Sequence, residues 1–370
     1  MNSKERLQMI PKRLRIESVS VELTTDESLP AYDNTKLVAI NTCPTWGIVR
    51  YGMHKTMSLP ASQGGTRQMA LECGSAAHDF FAAVRLWQLR TYQERADLAD
   101  FHGTRLFGAT RYQQMLASVG PNEDDRIKSL QFCLTALETT GYYDDPRDKR
   151  RTYTNLEEAC IAYLDRWNWH RMPVWIRSED DPTSDVGIEL PFDVTLQFLL
   201  EDGTIHRYRF IGKADGLHTR DGELYLHENK TASRLDDAWQ QSFLLSSQIT
   251  GYCLALGVWA GQAIDKAEIF GMSIPLPKNY DFGGIVREAV PRYTHHFERW
   301  FDWFFHTVQL DLAYKDDPIH APKYTHSCNR YFRPCSLIPF CDATDEEQGL
   351  ILSEMYEDEW NPLAEDKGSD

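Results

Sequence analysis

The chain has 370 residues, of which 42% are hydrophobic and 25% are charged, a composition typical of a globular protein with a large core. Its 39 basic and 55 acidic residues give a net charge of −16. This charge excludes a uniformly basic surface for wrapping duplex DNA but allows a local basic groove. The sequence has no apolar run of about 18 residues and no charged-then-apolar leader, so we expect a soluble protein of the cytoplasm without a membrane partner.

The first part of the chain predicts an arm followed by a helix. We assign residues 1–40 to an N-terminal arm, in which the alternating run at 16–23 is typical of a peripheral strand. Apolar residues at helical spacing then predict a helix over residues 67–92. His78 falls inside this helix, after a run of small residues that leaves room for another backbone or a ligand.

Residues 100–175 are predicted to form a mainly helical insertion. Apolar spacing indicates one helix over residues 124–140 and another over 155–169. The loop between them carries four basic residues, Arg147, Lys149, Arg150 and Arg151. These side chains could bind phosphates, and an exposed basic loop without that role is the alternative.

Three extended segments follow in close succession, at residues 186–200, 205–215 and 223–230. The dipeptide Asp-Gly stands at 202–203 and again at 221–222, between consecutive segments. Asp-Gly is a strong signal for a tight hairpin turn because both residues tolerate a positive φ. We therefore predict an antiparallel three-stranded meander.

The last third of the chain predicts a helix over residues 236–259, a strand over 267–274 and an aromatic-rich helix over 290–313. Residues 343–370 form an acidic tail, which we expect to be partly disordered. The fold class is therefore mixed α/β, with the element order helix, three strands, helix and strand.

Three polar side chains interrupt the meander at positions where an apolar core would reject them. Asp215 ends the second strand, whereas Glu228 and Lys230 share one face of the third strand because side chains alternate with a period of two. Two carboxylates can hold a hard divalent cation, and an adjacent lysine can stabilise a developing phosphate charge. These groups suit phosphodiester cleavage; a solvated strand end is the alternative for this pattern alone.

The same element order, with five short motifs in sequence, resembles the PD-(D/E)XK nuclease superfamily and more narrowly its RecB-like branch. The motifs are Gly74-x-x-x-His78, Glu189 at the head of the first strand, Gly212-Lys-Ala-Asp215, Glu228-Asn-Lys230 and Gln248-x-x-x-Tyr252. The resemblance covers about residues 40–342. It implies a restriction-endonuclease-like αβββαβ core, so that residues 41–342 form the nuclease domain with the helical insertion inside it.

The resemblance also implies roles for the residues of these motifs. His78, Asp215 and Glu228 would hold Mg²⁺ or Mn²⁺, since an imidazole with two carboxylates suits either ion. Lys230 would polarise the attacking water or the scissile phosphate.

Three further residues are implied to support this site. Glu189 would assist the metal shell or orient a water. Gln248 and Tyr252 are four residues apart, so they share one helix face and could brace the lysine or a DNA phosphate. An ordinary half-buried helix face is the alternative for these two residues.

Eight cysteines are too few for a disulfide scaffold in a chain of this length, which favours reduced thiols or metal ligands. Three of them, Cys328, Cys335 and Cys341, cluster within residues 328–341. Iron-sulfur members of the RecB-like branch, such as CRISPR adaptation nucleases and the AddB subunit of a recombination complex, use one early and three late cysteines. Carried over, Cys43 and these three would bind a 4Fe-4S cluster.

The cysteine pattern departs from those relatives in one respect. Six residues separate the first two late cysteines where the relatives have two, which leaves zinc or plain reduced thiols as alternatives. The other four cysteines fall in helical patterns and are predicted to be small buried hydrophobes. They are Cys73, Cys133, Cys160 and Cys253.

The function implied by the resemblance is a metal-dependent DNA exonuclease that acts on single strands or duplex ends in recombination, repair or DNA processing. A helicase, a recombinase or a CRISPR-type protein is a possible partner, and a homo-oligomer is a possible assembly. The alternative is a catalytically inactive nuclease-like protein that binds DNA or serves as a scaffold. Retention of Asp215, Glu228 and Lys230 argues against it, because an inactive site has no physical reason to keep desolvated charges.

Overall fold

The computed structural model describes residues 15–58, 68–167, 171–274, 284–330, 333–358 and 361. Several predicted segments extend beyond this set. Residues 1–14 of the arm, 168–169 of a predicted helix and most of 359–370 in the tail lie outside the described residues.

The first half of the described chain is mostly helical. In order it contains β1 (Ile16–Leu23), β2 (Ala31–Tyr32), α1 (Asn34–Thr42), α2 (Pro44–Gly47), β3 (Lys55–Thr56), α3 (Met69–Trp87), α4 (Ala96–Ala117), α5 (Asp125–Glu138) and α6 (Tyr153–Arg166). The side chains of Asp124 and Thr152 accept backbone hydrogen bonds at the N-termini of α5 and α6. Helices α4, α5 and α6 lie in or overlap the region 100–175, where the sequence predicts a mainly helical insertion.

The second half contains most of the sheet. Its elements are β4 (Ile188–Leu200), β5 (Ile205–Arg220), β6 (Glu223–Ala232), α7 (Asp237–Gln241), α8 (Ser247–Ala260), β7 (Lys266–Ser273), β8 (Ile285–Pro291), α9 (Thr294–Tyr314), β9 (Asn329–Arg330), β10 (Arg333–Pro334), α10 (Ile338–Asp342), α11 (Asp345–Glu354) and β11 (Tyr356–Glu357). Asp221 and Gly222 both have positive φ, at 54° and 80°. This is the backbone of a type I′ hairpin turn, as the Asp-Gly dipeptide predicts.

The main sheet has the strand order β1-β4-β5-β6-β7-β8, with β2 paired to β5. Strands β4, β5 and β6 are antiparallel to one another, β7 runs parallel to β6, and β8 is antiparallel to β7. The crossover from β6 to β7 passes through α7 and α8, as a parallel connection requires. The predicted mixed α/β fold, with its antiparallel meander, is confirmed.

Helices cover both faces of this sheet. Because alternate residues of a strand point to opposite faces, β7 contributes to two separate cores. Phe270 and Met272 belong to the core that includes buried residues of α3, α4, α5 and α6. Ala267 and Ile269 belong to the core that includes buried residues of α8 and α9. The helical insertion therefore completes one face of the sheet.

Two predicted helices differ from the observed ones. The helix predicted over 236–259 is divided into α7 and α8 by a turn, in which the buried Arg292 side chain donates a 2.7 Å hydrogen bond to the carbonyl of Phe243. Ser246 then caps the N-terminus of α8. The helix predicted over 290–313 begins at Thr294, because Val290 completes the pairing of β8 with β7.

The predicted acidic tail is folded as far as residue 358. Helix α11 and strand β11 lie within it, and β11 pairs with β3 from the N-terminal third of the chain. Met355 packs in a small core with Val49, Leu337 and Phe340. The expectation of disorder after residue 342 is therefore wrong for residues 343–358.

Candidate active site

Five of the sequence-predicted site residues converge beside the meander. His78 comes from α3, Glu189 from β4 and Asp215 from β5, whereas Glu228 and Lys230 come from β6. Each neighbouring strand thus contributes at least one carboxylate, and α3 adds an imidazole.

The imidazole of His78 lies against two carboxylates. Its Nδ1 is 3.2 Å from Oδ1 of Asp215 and 3.9 Å from Oε1 of Glu189. One ligand atom from each of these three residues lies within 4.8 Å of the other two. They form a compact set of nitrogen and oxygen donors of the kind that binds a divalent cation.

Asp215 stands where the pairing of β5 with β6 ends. The last backbone partners in this direction are Gly216 and His227. The next available amide, that of Asn229, instead donates a 2.5 Å hydrogen bond to Oδ2 of Asp215. The carboxylate therefore replaces a backbone acceptor, which fixes its orientation while Oδ1 faces His78.

Glu228 is a buried carboxylate that is only half satisfied. Its side chain is 2% exposed, and its Oε1 accepts hydrogen bonds from Nζ of Lys230 at 2.5 Å and Nε2 of Gln248 at 2.9 Å. Its Oε2 is buried without a hydrogen-bond partner among the described residues. A buried oxygen in this state costs stability unless a further ligand binds it.

The charges in the site shift one another's protonation. Burial, reinforced by the charge of Asp215, raises the pKa of Glu228 to about 7. Burial disfavours the charged form of His78, but the carboxylate of Asp215 outweighs it and raises the pKa of His78 to about 10. Burial opposes ionisation of Asp215 as well, yet the charge of His78 keeps its pKa below the usual value. Neighbouring carboxyl groups whose pKa values are shifted in opposite directions are common at active sites.

The backbone around Glu189 is shaped for this site. Glu189 has a φ of 48°, in the left-handed region that few residues with side chains adopt. Close beside it, a Cβ on Gly187 would lie 2.1 Å from the carbonyl oxygen of Leu217. A Cβ on Gly216 would lie 2.3 Å from the carbonyl oxygen of Gly187. The two glycines let β4 and β5 approach closely where their acids meet.

Gln248 and Tyr252 share a face of α8, as their spacing predicts. Gln248 donates to Oε1 of Glu228, and Tyr252 lies one helical turn further along the same face. Tyr252 is buried and packs edge-on against Phe192 of β4, with ring centroids 5.1 Å apart. Gln248 therefore positions the carboxylate of Glu228, whereas Tyr252 packs into the core between α8 and the sheet.

The family model of the PD-(D/E)XK nuclease superfamily matches residues 35–342 of the chain. The chain belongs to this superfamily. A solved structure titled "Crystal structure of SSO0001" is similar over 42% of this chain and 59% of that chain, with 14% sequence identity and a TM-score of 0.26. No curated protein matches the chain.

The donor set of this member of the PD-(D/E)XK superfamily fits a divalent metal ion. Mg²⁺ and Mn²⁺ prefer oxygen ligands, and His78, Glu189 and Asp215 supply a nitrogen and carboxylate oxygens within a small space. The buried and unpartnered Oε2 of Glu228 is a further oxygen that a cation would satisfy. Among the residues that the structure describes, this is the one compact group of at least three possible ligands.

Two contacts of the candidate site were not predicted. Lys213 pairs with Oε2 of Glu189 at 3.0 Å. The alternation of strand residues could have indicated it, since Lys213 shares a face with Asp215. Tyr163 of α6 donates a 2.6 Å hydrogen bond to Oδ1 of Asn229, between the two site residues of β6. No local sequence pattern could have revealed that contact, because it depends on how the insertion packs.

The four cysteines proposed as cluster ligands lie in one region of the fold, although 284 residues separate the first from the second. The backbone amide of Cys335 donates a 2.7 Å hydrogen bond to the carbonyl of Cys328. Burial raises the pKa of Cys341 to about 11, with Lys323 opposing and the sulfurs of Cys43, Cys335 and Cys328 adding to the shift. The chain thus brings one early and three late thiols into the same region.

The remaining sequence expectations about cysteines and membranes can also be compared with the structure. The four other thiols are buried in helices, as predicted; they are Cys73, Cys133, Cys160 and Cys253. None of the described helices combines the length and hydropathy needed to cross a lipid bilayer.

Proposed function

We propose that the protein is a DNA exonuclease that acts on single strands or duplex ends, with its catalytic groups at His78, Asp215, Glu228 and Lys230. The observation that carries the proposal is the half-satisfied carboxylate of Glu228, buried beside Asp215 and bonded to Lys230. A carboxylate held in this way is costly for a purely structural site and useful for metal binding.

His78, Asp215 and Glu228 would hold the metal ion, with Glu189 completing the donor set. When bound, Mg²⁺ or Mn²⁺ lowers the pKa of a coordinated water and neutralises charge that develops on the phosphate. Gln248 keeps one oxygen of Glu228 in place, and the other oxygen would be available to bind the ion. Outer-shell partners of this type orient the groups that bind metal.

Lys230 supplies the positively charged side chain of the proposed mechanism. Its side chain is 26% exposed, so the ammonium can contact a phosphate while Glu228 still anchors it. Burial would lower the pKa of Lys230, but the carboxylates of Glu228 and Asp215 raise it, so the side chain stays charged at neutral pH. A charged donor beside the reacting group stabilises the transition state more than the ground state.

The resemblance to iron-sulfur nucleases of the RecB-like branch is the basis for three parts of this proposal. They are DNA as the substrate, the exonucleolytic mode, and the role in recombination, repair or processing. The grouping of Cys43 with Cys328, Cys335 and Cys341 supports a 4Fe-4S cluster as part of the same proposal. A helicase, recombinase or CRISPR-type partner and a homo-oligomeric assembly belong to this proposal too.

The proposal is tested by incubating anaerobically purified protein with single-stranded and duplex DNA labelled at either end, in Mn²⁺, Mg²⁺ or EDTA. We expect digestion with either metal and none in EDTA, with mononucleotides or short products released from one end at early times. Cleavage first at internal positions would contradict the exonuclease. Cleavage of RNA but not DNA would contradict the substrate, and DNA binding without cleavage in any metal would favour the inactive scaffold.

A further inference from the structure

A small cleft opens beside the active site, at the carboxyl end of β6. It is lined by residues of α3, of the basic loop and of β6 with the segment that follows, and its volume is about 340 Å³ including space open to solvent. Pockets for small organic ligands span about 300–1,000 Å³. Its volume is at the lower end of that range and includes space open to solvent, so the cleft suits one compact group of a larger ligand.

The polar groups of the cleft are donors. Arg150 and Arg151 come from the loop before α6, whereas Thr231 and Ser233 follow Lys230 along β6 and beyond it. Two guanidinium groups and two hydroxyls form the usual donor set for a phosphate. Cys73 lines the wall, and burial raises its pKa to about 11, so that thiol is neutral at pH 7.

Arg150 differs from its basic neighbours in the loop. Arg147 pairs with Asp145 at 2.6 Å and Arg151 with Asp148 at 2.7 Å. Among the described residues, Arg150 has no carboxylate within ion-pair distance, and its Nε is buried without a hydrogen-bond partner. A guanidinium that is partly desolvated without an anion is costly, and an anionic ligand would relieve that cost.

The cleft lies along the two elements that also build the active site. On α3, Cys73 precedes His78 by five residues, about 7.5 Å along the helix axis. On β6, Thr231 directly follows Lys230, and Ser233 is three residues beyond it, at most about 10 Å along the chain. At about 3.4 Å per nucleotide along a helical strand, these spacings correspond to one to three nucleotides.

From this geometry we propose that Arg150, with Arg151, Thr231 and Ser233, binds a phosphate of the DNA strand one to three nucleotides from the scissile bond. The proposal rests on the nuclease function proposed above and adds a substrate subsite to it. A protein with a net charge of −16 needs local cations to hold an anionic strand beside its carboxylates. The phosphate is either an internal diester or a terminal monoester, since both present the same oxygens.

The test compares Arg150→Gln with Arg147→Gln in the full-length protein. Arg147 is a matched control because it belongs to the same loop, is 73% exposed and already has Asp145 as its partner. The affinity for short single strands is measured in EDTA over a range of salt concentrations, so that binding is read without cleavage. We expect Arg150→Gln to weaken binding about tenfold and to reduce the salt slope by about 0.7. Arg147→Gln should change the affinity and the salt slope by no more than about a third of the change caused by Arg150→Gln.

The position of the phosphate is found with strands that carry one uncharged methylphosphonate at successive positions. At the correct position, the loss caused by Arg150→Gln should disappear, because the charge it contacts is already absent. Coupling at an internal position identifies a diester, and coupling only to removal of an end phosphate identifies a monoester. The proposal would be overturned if no methylphosphonate within three nucleotides of the cleaved bond removed the effect of Arg150→Gln. It would also be overturned if Arg150→Gln and Arg147→Gln lost the same affinity.

Two further measurements separate this proposal from folding and from the nuclease function. Arg150→Lys keeps the charge and should restore most of the salt slope, and Ser233→Ala offers an exposed substitution with little risk to folding. Circular dichroism and the melting temperature verify that each variant is folded. If the wild-type protein does not cleave in Mn²⁺, the nuclease function is rejected. If the wild-type protein cleaves but Arg150→Gln binds DNA as tightly as wild type, only the phosphate site in the cleft is rejected.

Discussion

The carboxylate of Glu228 shows how function overrides stability at a single residue. Its burial and the charge of Asp215 favour the protonated form, and one of its oxygens has no partner in the described part of the chain. Such a group weakens the metal-free fold at neutral and higher pH. Active sites commonly retain costs of this kind because the same charge is needed for binding or chemistry.

Glu228→Gln tests this at the residue scale. The amide keeps the shape but loses the charge, so the metal-free variant should melt no lower than wild type above pH 7. Because the folded carboxyl holds its proton up to a pKa of about 7, against 4.5 in the unfolded chain, wild-type stability falls as pH rises between these values. The advantage of the variant should therefore grow from about pH 5 to about pH 8.

The same variant should lose at least about 100-fold in cleavage rate, since even outer partners of metal ligands cost about 10- to 100-fold. Glu223→Gln is the matched control on the same strand, because Glu223 is 54% exposed and pairs with Lys266 at the surface. The cleavage rate is measured with end-labelled DNA in Mn²⁺, and calorimetry without the metal gives the melting temperature. A lower melting temperature with retained cleavage would refute the functional reading of this carboxylate.

Most site residues could be predicted from the sequence because they are polar interruptions of apolar strands and helices. Asp215, Glu228 and Lys230 are of this type. The partner of Gln248 could not be predicted, because the sequence suggests the lysine or a phosphate whereas the side chain contacts Glu228. The contact of Tyr163 with Asn229 was equally hidden, since it joins residues 66 positions apart.

At the scale of elements, the site depends on the close approach of β4 and β5, which leaves no room for a Cβ atom at the contact. Gly187 on the approach to β4 and Gly216 on β5 face each other's backbone. The sequence marks Gly216 only as a neighbour of a motif acid. Glycine is required at position 216 because β4 and β5 approach closely there, and this contact cannot be read from the sequence. The left-handed backbone of Glu189 cannot be read from the sequence either.

Gly216→Ala tests this close approach. A Cβ only 2.3 Å from the carbonyl oxygen of Gly187 must separate the strands, which moves Asp215 and Glu189 apart. We expect a loss of about 2 kcal/mol or more in the free energy of unfolding, together with weaker metal binding. Gly349→Ala in α11 is the control, because its Cβ meets nothing within 4 Å and alanine favours the helix. Equal stability of Gly216→Ala and wild type would contradict the packing argument.

Secondary structure could be predicted where local chemistry decides it. The meander follows from alternation and two Asp-Gly turns, and the insertion helices follow from their periodic apolar residues. The break between α7 and α8 was missed because a distant side chain, Arg292, captures the carbonyl of Phe243 there. Apolar periodicity alone continues through that turn.

At the scale of the whole molecule, residues 43–56 meet the C-terminal part of the described chain. Strand β11 pairs with β3, and Arg50 forms an ion pair with Asp358 at 2.6 Å. Cys43 joins the three late cysteines in the same region. The acidic composition after residue 342 suggested disorder because it has few apolar residues, yet Met355 and its neighbours complete a small core with Val49.

A 4Fe-4S cluster at these thiols would link both ends of the nuclease. We expect anaerobically purified protein to contain about four irons and four sulfides per chain. Cys335→Ala should lose most of the iron and lower the melting temperature. Cys133→Ala should keep the iron because Cys133 is buried in the insertion. Zinc without iron in the wild-type protein, or iron retained in Cys335→Ala, would contradict the cluster assignment.

The most direct test of the central claim is the single-turnover rate of DNA cleavage in Mn²⁺ by Lys230→Ala, compared with Lys266→Ala. Both substitutions remove a lysine paired with a glutamate, but Lys266 lies on the surface of β7 with Glu223, away from the predicted site. We predict that Lys230→Ala, tested at a temperature where it is folded, cleaves at least about 100-fold more slowly, whereas Lys266→Ala cleaves like wild type. Equal rates in the two folded variants would show that the chemistry takes place elsewhere.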